Sequence, residues 1–382
     1  MTKKLICISY TIWGESDMNE RVFLAKDYSY YESLGLSKEI EIWEDGLRTS
    51  GDRNSYEWWY FDAEYTNGCK FVVIFYTKDR FDVKGSGKPT ATLDVTLPNG
   101  QTICRTISEN TKMIDASKES CYVKIGDSFI KYENGSYHVH FKDELVQYDC
   151  VMKSDLSMYR PKTGYTFFGE DEKLYFAWLV AQPSAKVSGQ VKVGELSLEL
   201  EGTGYHDHNW GNVEMDKIIN HWYWCRAKVG PYTIIANDII AEQKYDYLRS
   251  ATMFIAKNDE VLLEDEDKTK IERNNTKEHN LTKKFIDNNI TFTCRDDNGV
   301  KYTVEFFREK DIFASSLLNV MGLSYSEILL SISEGINPTY LRCVGNVRLT
   351  VESEEGKEIF ESDALWEQMF FGNNKTAYIS EK

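Results

Sequence analysis

Proline is scarce in this chain, with six in 382 residues, so long Pro-rich linkers are not expected. No run approaches the ~20 apolar residues that a membrane-spanning helix needs, so stable membrane insertion is not expected either. The eight cysteines, at positions 7, 69, 104, 121, 150, 225, 294 and 343, form no Cys-x-x-Cys pair, which argues against a zinc ribbon or a thioredoxin-like site. They read as reduced, buried, small apolar residues. A P-loop, a dinucleotide fingerprint in strand–helix context, a G-x-S-x-G elbow and an H-E-x-x-H pair are all missing, which weighs against phosphate-driven, nicotinamide and serine-hydrolase chemistry. Basic residues are outnumbered, with Lys+Arg at 45 against Asp+Glu at 61 and a formal net charge of −16. With no segregated basic block, nucleic acid is not an expected partner.

The segment Leu5–Trp13 follows Lys3-Lys4 but is short and broken by Ser9, Tyr10 and Thr11. It reads as the first strand of a cytoplasmic protein rather than as a signal peptide.

Aromatic side chains are abundant: Tyr 24, Phe 19 and Trp 9, together 14% of the chain. They can fill large cores or line an apolar cavity around a flat ligand. Period-two alternation recurs almost everywhere, and the spacing predicts strands from Cys69–Thr77 through to Leu365–Phe371. Asn99-Gly100 and Asn134-Gly135 are hairpin signals of the type I′ kind, in which both turn residues take φ > 0. One stretch, Asp311 to Ser333, has a helical period. The charged stretch from Glu264 to Lys284 reads as a solvated hairpin tip or loop. Many short strands with regular turn signals predict an all-β protein of barrels or sandwiches with little helix. The length predicts two domains, 1–215 and 216–382, with the boundary near Asn212–Asn220.

The segment Gly202-Thr203-Gly204-Tyr205-His206-Asp207-His208-Asn209-Trp210-Gly211 concentrates titratable and hydrogen-bonding groups at that boundary. In a strand, Tyr205, Asp207 and Asn209 share one face, and His206, His208 and Trp210 share the other. Three readings are open. Asp207 can face an apolar pocket, where desolvation raises its pKa and leaves it a proton donor partnered by Tyr205. His206 and His208, or His138 and His140 with Glu144 downstream, can bind a metal. Or the segment is a buried polar network that pins the lobe boundary, with each His satisfied. A second cluster, Tyr56-Glu57-Trp58-Trp59-Tyr60-Phe61-Asp62, puts Tyr56, Trp58 and Tyr60 on one face and Glu57, Trp59 and Phe61 on the other. Core packing accounts for the stripe, but a Glu embedded in it must be paired or protonated.

Three separated features then converge: Glu57-Trp58-Trp59-Tyr60, Gln182-Pro183-Ser184-Ala185 leading into Gly202–Gly211, and Ala364-Leu365-Trp366-Glu367-Gln368-Met369-Phe370-Phe371-Gly372. Together they resemble the carotenoid 1,2-hydratases, AttH-like proteins and lipocalin-like Diels–Alderases, over roughly residues 50 to 372. The resemblance implies two lipocalin-like β-barrel lobes, an apolar cavity at or between them, and no organic cofactor or metal. It implies an enzyme of secondary metabolism, a hydratase (lyase) or a cyclase, acting on a hydrophobic polyene or isoprenoid-like small molecule. By that resemblance Asp207 is the acid and Tyr205 its partner, and Trp178 matches an aromatic residue that stabilises a cation. Phe176 stands where the hydratase pattern has a His, a departure that points away from carotenoid hydration specifically. Glu57, Trp58, Tyr60, Trp178, His208, Asn209, Trp222 and Trp224 are the expected substrate-binding residues. A non-catalytic carrier of an apolar molecule is the alternative, and the oligomeric state stays open.

Overall fold

The computed structural model describes residues 21–49, 54–78, 83–85, 88–110, 114–264, 268–318, 326, 328–330 and 337–373. The expected strand at Leu5–Trp13 lies outside them. The described chain is nearly all antiparallel β-structure. Its first thirteen strands are β1 (Val22–Leu24), β2 (Tyr56–Tyr65), β3 (Lys70–Tyr76), β4 (Thr90–Thr96), β5 (Thr102–Ser108), β6 (Asp115–Ala116), β7 (Tyr122–Ile125), β8 (Ser128–Glu133), β9 (Ser136–Lys142), β10 (Val146–Ser154), β11 (Tyr165–Phe168), β12 (Leu174–Val193) and β13 (Leu196–Gly211). They form one sheet in the order β5-β4-β3-β2-β13-β12-β10-β9-β8-β7-β6, with β11 on β12 and β1 on β11.

The second sheet holds β14 (Ile219–Val229), β15 (Tyr232–Ala241), β16 (Arg249–Lys257), β17 (Glu260–Leu263), β18 (Lys270–Glu278), β19 (Phe285–Arg295), β20 (Lys301–Ser316), β21 (Thr339–Ser353) and β22 (Gly356–Phe370). Its order is β17-β16-β15-β14-β22-β21-β20-β19-β18. The chain therefore passes from the first sheet to the second between Gly211 and Ile219, directly after the polar segment.

Alternation along β2 explains how three cores coexist. Trp59 and Phe61 pack into the interior of the first sheet with Phe71, Val73 and Tyr148. Trp58 and Tyr60, on the other face, join a core shared by both sheets with Trp178, Tyr205, Trp224 and Ile235. The second sheet closes on its own interior through Tyr223, Ile234, Phe292 and Trp366. Buried aromatic and aliphatic side chains of this kind contribute roughly 1.5–3 kcal/mol each. An ion pair from Arg226 of β14 to Asp62 of β2 also crosses between the sheets.

Local details both follow and depart from expectation. Asn134 and Gly135 have φ of 53° and 78°, as a type I′ turn requires. At the other Asn-Gly pair only Gly100 is in the left-handed region, at 83°. There Pro98 adds a third loop residue, and Leu97 and Gln101 close the loop instead. Within the stretch read as helical, Asp311–Ser316 extends β20, because Ala314, Ser315 and Ser316 pair with Leu341, Tyr340 and Thr339. Most of the remainder of that stretch lies outside the described residues. Lys270–Glu278 is a polar edge strand paired with β19, not a loop. An edge strand with one partner tolerates charge on both faces, which hides its period. The seven cysteines among the described residues are free, and all but Cys104 are buried.

Candidate active site

Asp207 sits in the C-terminal half of β13, opposite Tyr60 of β2 and Val180 of β12. The pleat turns Tyr205, Asp207 and Asn209 toward the core between the sheets, and His206 and His208 toward the first sheet's interior. Gly202 permits this register: a Cβ there would lie 2.0 Å from the Glu64 carbonyl oxygen on β2. Two strands cannot approach that closely around a side chain.

The Asp207 carboxyl is buried and bonded only to neutral donors. Trp178 Nε1–H donates to Oδ2 at 3.0 Å, the Tyr205 hydroxyl donates to the same oxygen at 2.8 Å, and Asn209 Nδ2 donates to Oδ1 at 2.8 Å. Desolvation dominates these bonds and pushes the group up to about 6 from its ordinary 3.8. Both lone pairs of Oδ2 are taken, which leaves Oδ1 as the oxygen able to carry a proton when the carboxyl is neutral. Burial and the neighbouring Asp207 charge push the Tyr205 phenol well above its usual range. Tyr205 is thus a donor to the carboxyl.

A cavity opens beside Asp207, with an empty volume of about 550 Å³ including its mouth. The first sheet contributes Trp58, Tyr60, Phe176, Trp178, Asp207 and Asn209 to its wall; the second contributes Trp222, Trp224, Asn237, Ile239 and Glu367. Ring contacts stiffen the wall, with Trp58 on Phe176 at 6.0 Å and Trp224 on Tyr205 at 5.1 Å between centroids. The mixture of apolar wall with a few convergent polar groups suits a small organic ligand.

The expected residues Trp58, Tyr60, Trp178, Asp207, Asn209, Trp222 and Trp224 are thus brought to one cavity, with Tyr205 immediately behind it. Glu57 and His208 are not among its lining residues. Their alternation puts them on the opposite face, where His208 Nε2 meets Glu57 Oε1 at 2.8 Å. Glu57 also accepts from the backbone N–H groups of Arg48 and Thr49 and from the Thr49 hydroxyl. His206 bridges the Tyr60 carbonyl (2.9 Å) and Asp45 Oδ2 (3.0 Å), and stacks on Phe61 at 3.8 Å. Burial lowers the charged form of His208, but its two carboxylate partners outweigh this and raise its pKa. Both histidines belong to a buried polar network: His206 has a partner on each ring nitrogen, whereas His208 Nδ1 lies 3.4 Å from Asp45 Oδ1 without a hydrogen bond.

In that network Asp45, Cys121 and His206 bring three potential metal-ligand atoms within 4.8 Å of one another. The fit to a metal is poor. Asp45 Oδ2 already accepts the Tyr137 hydroxyl at 2.6 Å as well as His206, and burial pushes the Cys121 thiol well above its usual range. A thiol is a weak ligand compared with a thiolate. His138 and His140 lie on β9, where His140 bonds to Asp149, and neither lines the cavity.

Sequence reasoning missed Glu367, Asn237 and Ile239. Glu367 had a signal: it lies between Leu365 and Met369 on one face of β22, an acid in an apolar stripe. Asn237 and Ile239 carry no comparable mark.

Against this geometry, the comparisons with known proteins agree. A family model described as Diels-Alderase-like matches residues 145–312, which include β13 and β14. By sequence the chain is similar to hydroxyneurosporene dehydrogenase of Chlorobaculum tepidum, 25% identical over 232 residues, or 49% of this chain and 58% of that protein. It is also similar to the quinolone epoxide rearrangement protein asqO of Emericella nidulans, 30% identical over 67 residues, 18% of each chain. These matches span less than two thirds of each relative's length. Three solved structures share the fold. CghA with Sch210972 has a TM-score of 0.59 at 11% identity, covering 84% of this chain and 89% of that one. AttH of Nitrosomonas europaea has 0.59 at 15%, covering 88% and 98%. Kievitone hydratase of Nectria haematococca has 0.55 at 14%, covering 88% and 94%. The fold is therefore the lipocalin-like, two-sheet architecture of hydratases and Diels–Alderases, as the sequence resemblance implied. No helix among the described residues is long and apolar enough to cross a membrane.

Proposed function

We propose that this chain is an enzyme acting on a hydrophobic polyene or isoprenoid-like intermediate, and that it protonates an alkene with its own carboxyl group, Asp207. The observation that carries the reading is a buried carboxyl, bonded only to neutral donors, in the wall of an aromatic cavity between two sheets. A group with pKa near the working pH balances availability of the proton against the driving force for its transfer. In the proposed step the Oδ1–H bond of Asp207 breaks as a C–H bond forms at one alkene carbon, and positive charge develops at the other. The indole faces of Trp58, Trp178, Trp222 and Trp224 supply negative quadrupole density to that charge. Water then adds to give an alcohol, its released proton passes to solvent, and Asp207 takes a proton back from solvent to restore the acid. The fold match to a protein named kievitone hydratase and the similarity to one named for hydroxyneurosporene support this reading. We also propose that the two sheets correspond to two domains, 1–215 and 216–382, with the active site at their junction.

Intramolecular cyclisation is the second reading, favoured by the Diels-Alderase-like match over residues 145–312. There the cavity would act by folding a linear polyene into a reactive shape. Turnover in H₂¹⁸O separates the two, because hydration places solvent oxygen in the product and a pericyclic cyclisation does not. β-Farnesene, an acyclic isoprenoid polyene of fifteen carbons, is the first probe. Its recovery from the complex chemically unchanged after long incubation would instead favour a carrier.

A further inference from the structure

We propose that Glu367 is a second functional carboxylate of the cavity, the counterpart of Asp207 on the second sheet, and that it stabilises the positive charge formed on a bound alkene. The inference rests on the reading of Asp207 as the acid. It comes from a correspondence between the sheets that no local repeat in the sequence reveals. The strand orders β3-β2-β13-β12 and β15-β14-β22-β21 run through the middle of the two sheets in the same sense of chain succession.

The registers match residue by residue. In the first sheet Asp207 lies opposite Tyr60, and Asn209 opposite Trp58. In the second, Glu367 lies opposite Trp224, and Met369 opposite Trp222. Trp58 and Tyr60 thus correspond to Trp222 and Trp224, and Asp207 corresponds to Glu367. All but Met369 of this set line the same cavity. Two equivalent acids therefore reach one space from opposite sheets.

Their surroundings then diverge at one position. Across β12, Asp207 faces Val180; across β21, Glu367 faces Arg342. Val180 offers no charge, so Asp207 keeps neutral partners. Arg342 donates to Glu367 Oε1 through Nε at 3.2 Å and Nη2 at 2.8 Å, and the Tyr340 hydroxyl bonds to the same oxygen. All three bonds end on Oε1, which leaves the lone pairs of Oε2 outside this set. Arg342 and Tyr340 are not part of the cavity wall, whereas Glu367 is. The pair therefore forms an oriented dipole whose negative end borders the cavity, and a fixed dipole in a dry site acts without reorganisation. The duplicated position has been split into a proton donor on one sheet and an electrostatic partner for the resulting charge on the other.

The test uses octyltrimethylammonium, a stable cation, and its neutral carbon isostere 2,2-dimethyldecane, with binding read by tryptophan fluorescence. Wild type should prefer the cation. Glu367→Gln, whose side-chain oxygen still accepts from Arg342 and Tyr340, should lose about tenfold in cation affinity and change less than twofold for the isostere. Glu367→Asp, which keeps the charge, should retain most of the preference. A wild-type protein that binds neither probe or prefers the isostere overturns the proposal, as does a Glu367→Gln change equal for both probes. The reading of Asp207 has its own arm. Cation affinity should rise between pH 5 and pH 7 in wild type as Asp207 ionises, and this rise should vanish in Asp207→Asn while the Glu367 effect persists. A rise that survives in Asp207→Asn would sink the acid and leave Glu367 standing.

Discussion

Replacing Asp207 with Asn should make the protein more stable near neutral pH while removing its acid, and the gain should depend on pH in a defined way. Burial moves this carboxyl from 3.8 to about 6. A rise of that size corresponds to ~3 kcal/mol. Well below pH 4 both the folded and unfolded chains hold the proton, and the group contributes no pH dependence. As the pH rises the unfolded chain ionises first, which favours unfolding, and above the folded value the native state carries the whole penalty. The stability attributable to this group therefore falls between about pH 4 and pH 6. In Asp207→Asn the amide oxygen can take the bonds from Trp178 and Tyr205. Its NH₂ group then meets Asn209, whose own amide must turn to present oxygen. A poorer network of this kind costs ~1 kcal/mol at every pH. Relative to wild type, the variant should thus be ~0.5 kcal/mol less stable at pH 4 and ~2 kcal/mol more stable at pH 7.5. Urea denaturation of both proteins at half-unit steps of pH provides the measurement, and titrations elsewhere cancel in the difference. Curves that stay parallel from pH 4 to pH 7.5 would refute the assignment of a raised pKa to Asp207.

Other outcomes follow from the same geometry. Tyr205→Phe removes a hydrogen bond that lowers the Asp207 pKa; the ¹³C carboxyl titration of Asp207 should therefore move upward, and a downward move would contradict the assigned donor. Arg226→Met leaves Asp62 buried and unpaired between the sheets, and should cost roughly 3–5 kcal/mol in denaturation experiments. Adding Asp62→Asn to that variant should recover part of the loss. Gly202→Ala forces β2 and β13 apart, because the new Cβ meets backbone rather than a flexible side chain. Its expected cost is at least the ~1–3 kcal/mol of ordinary overpacking, read as a lowered Tm.

Much of this arrangement is legible in the residues, for physical reasons. Strand alternation divides Trp58 and Tyr60 from Glu57, Trp59 and Phe61, and Asp207 from His206 and His208, without any structure. The same alternation argues against Glu57 and His208 as substrate ligands, since each shares a strand with cavity residues but lies on the opposite face. Asp45, the partner of His206 and His208, sits in a short 3₁₀ turn, Ile42–Asp45. It meets a histidine 161 residues away, and no local pattern encodes that contact. Glu367 is a different omission. Its apolar neighbours mark it as unusual, but its relation to Asp207 exists only in the shared strand order of two sheets. The helical period of Asp311–Ser333 misleads at its start, where pairing with β21 overrides it.

Deuterium transfer tests the central claim most directly. β-Farnesene incubated in D₂O with the wild-type protein should yield a product carrying one carbon-bound deuterium at the protonated alkene carbon, detected by mass spectrometry, and Asp207→Asn should form none. Product without deuterium, or label that persists undiminished in Asp207→Asn, would contradict the account.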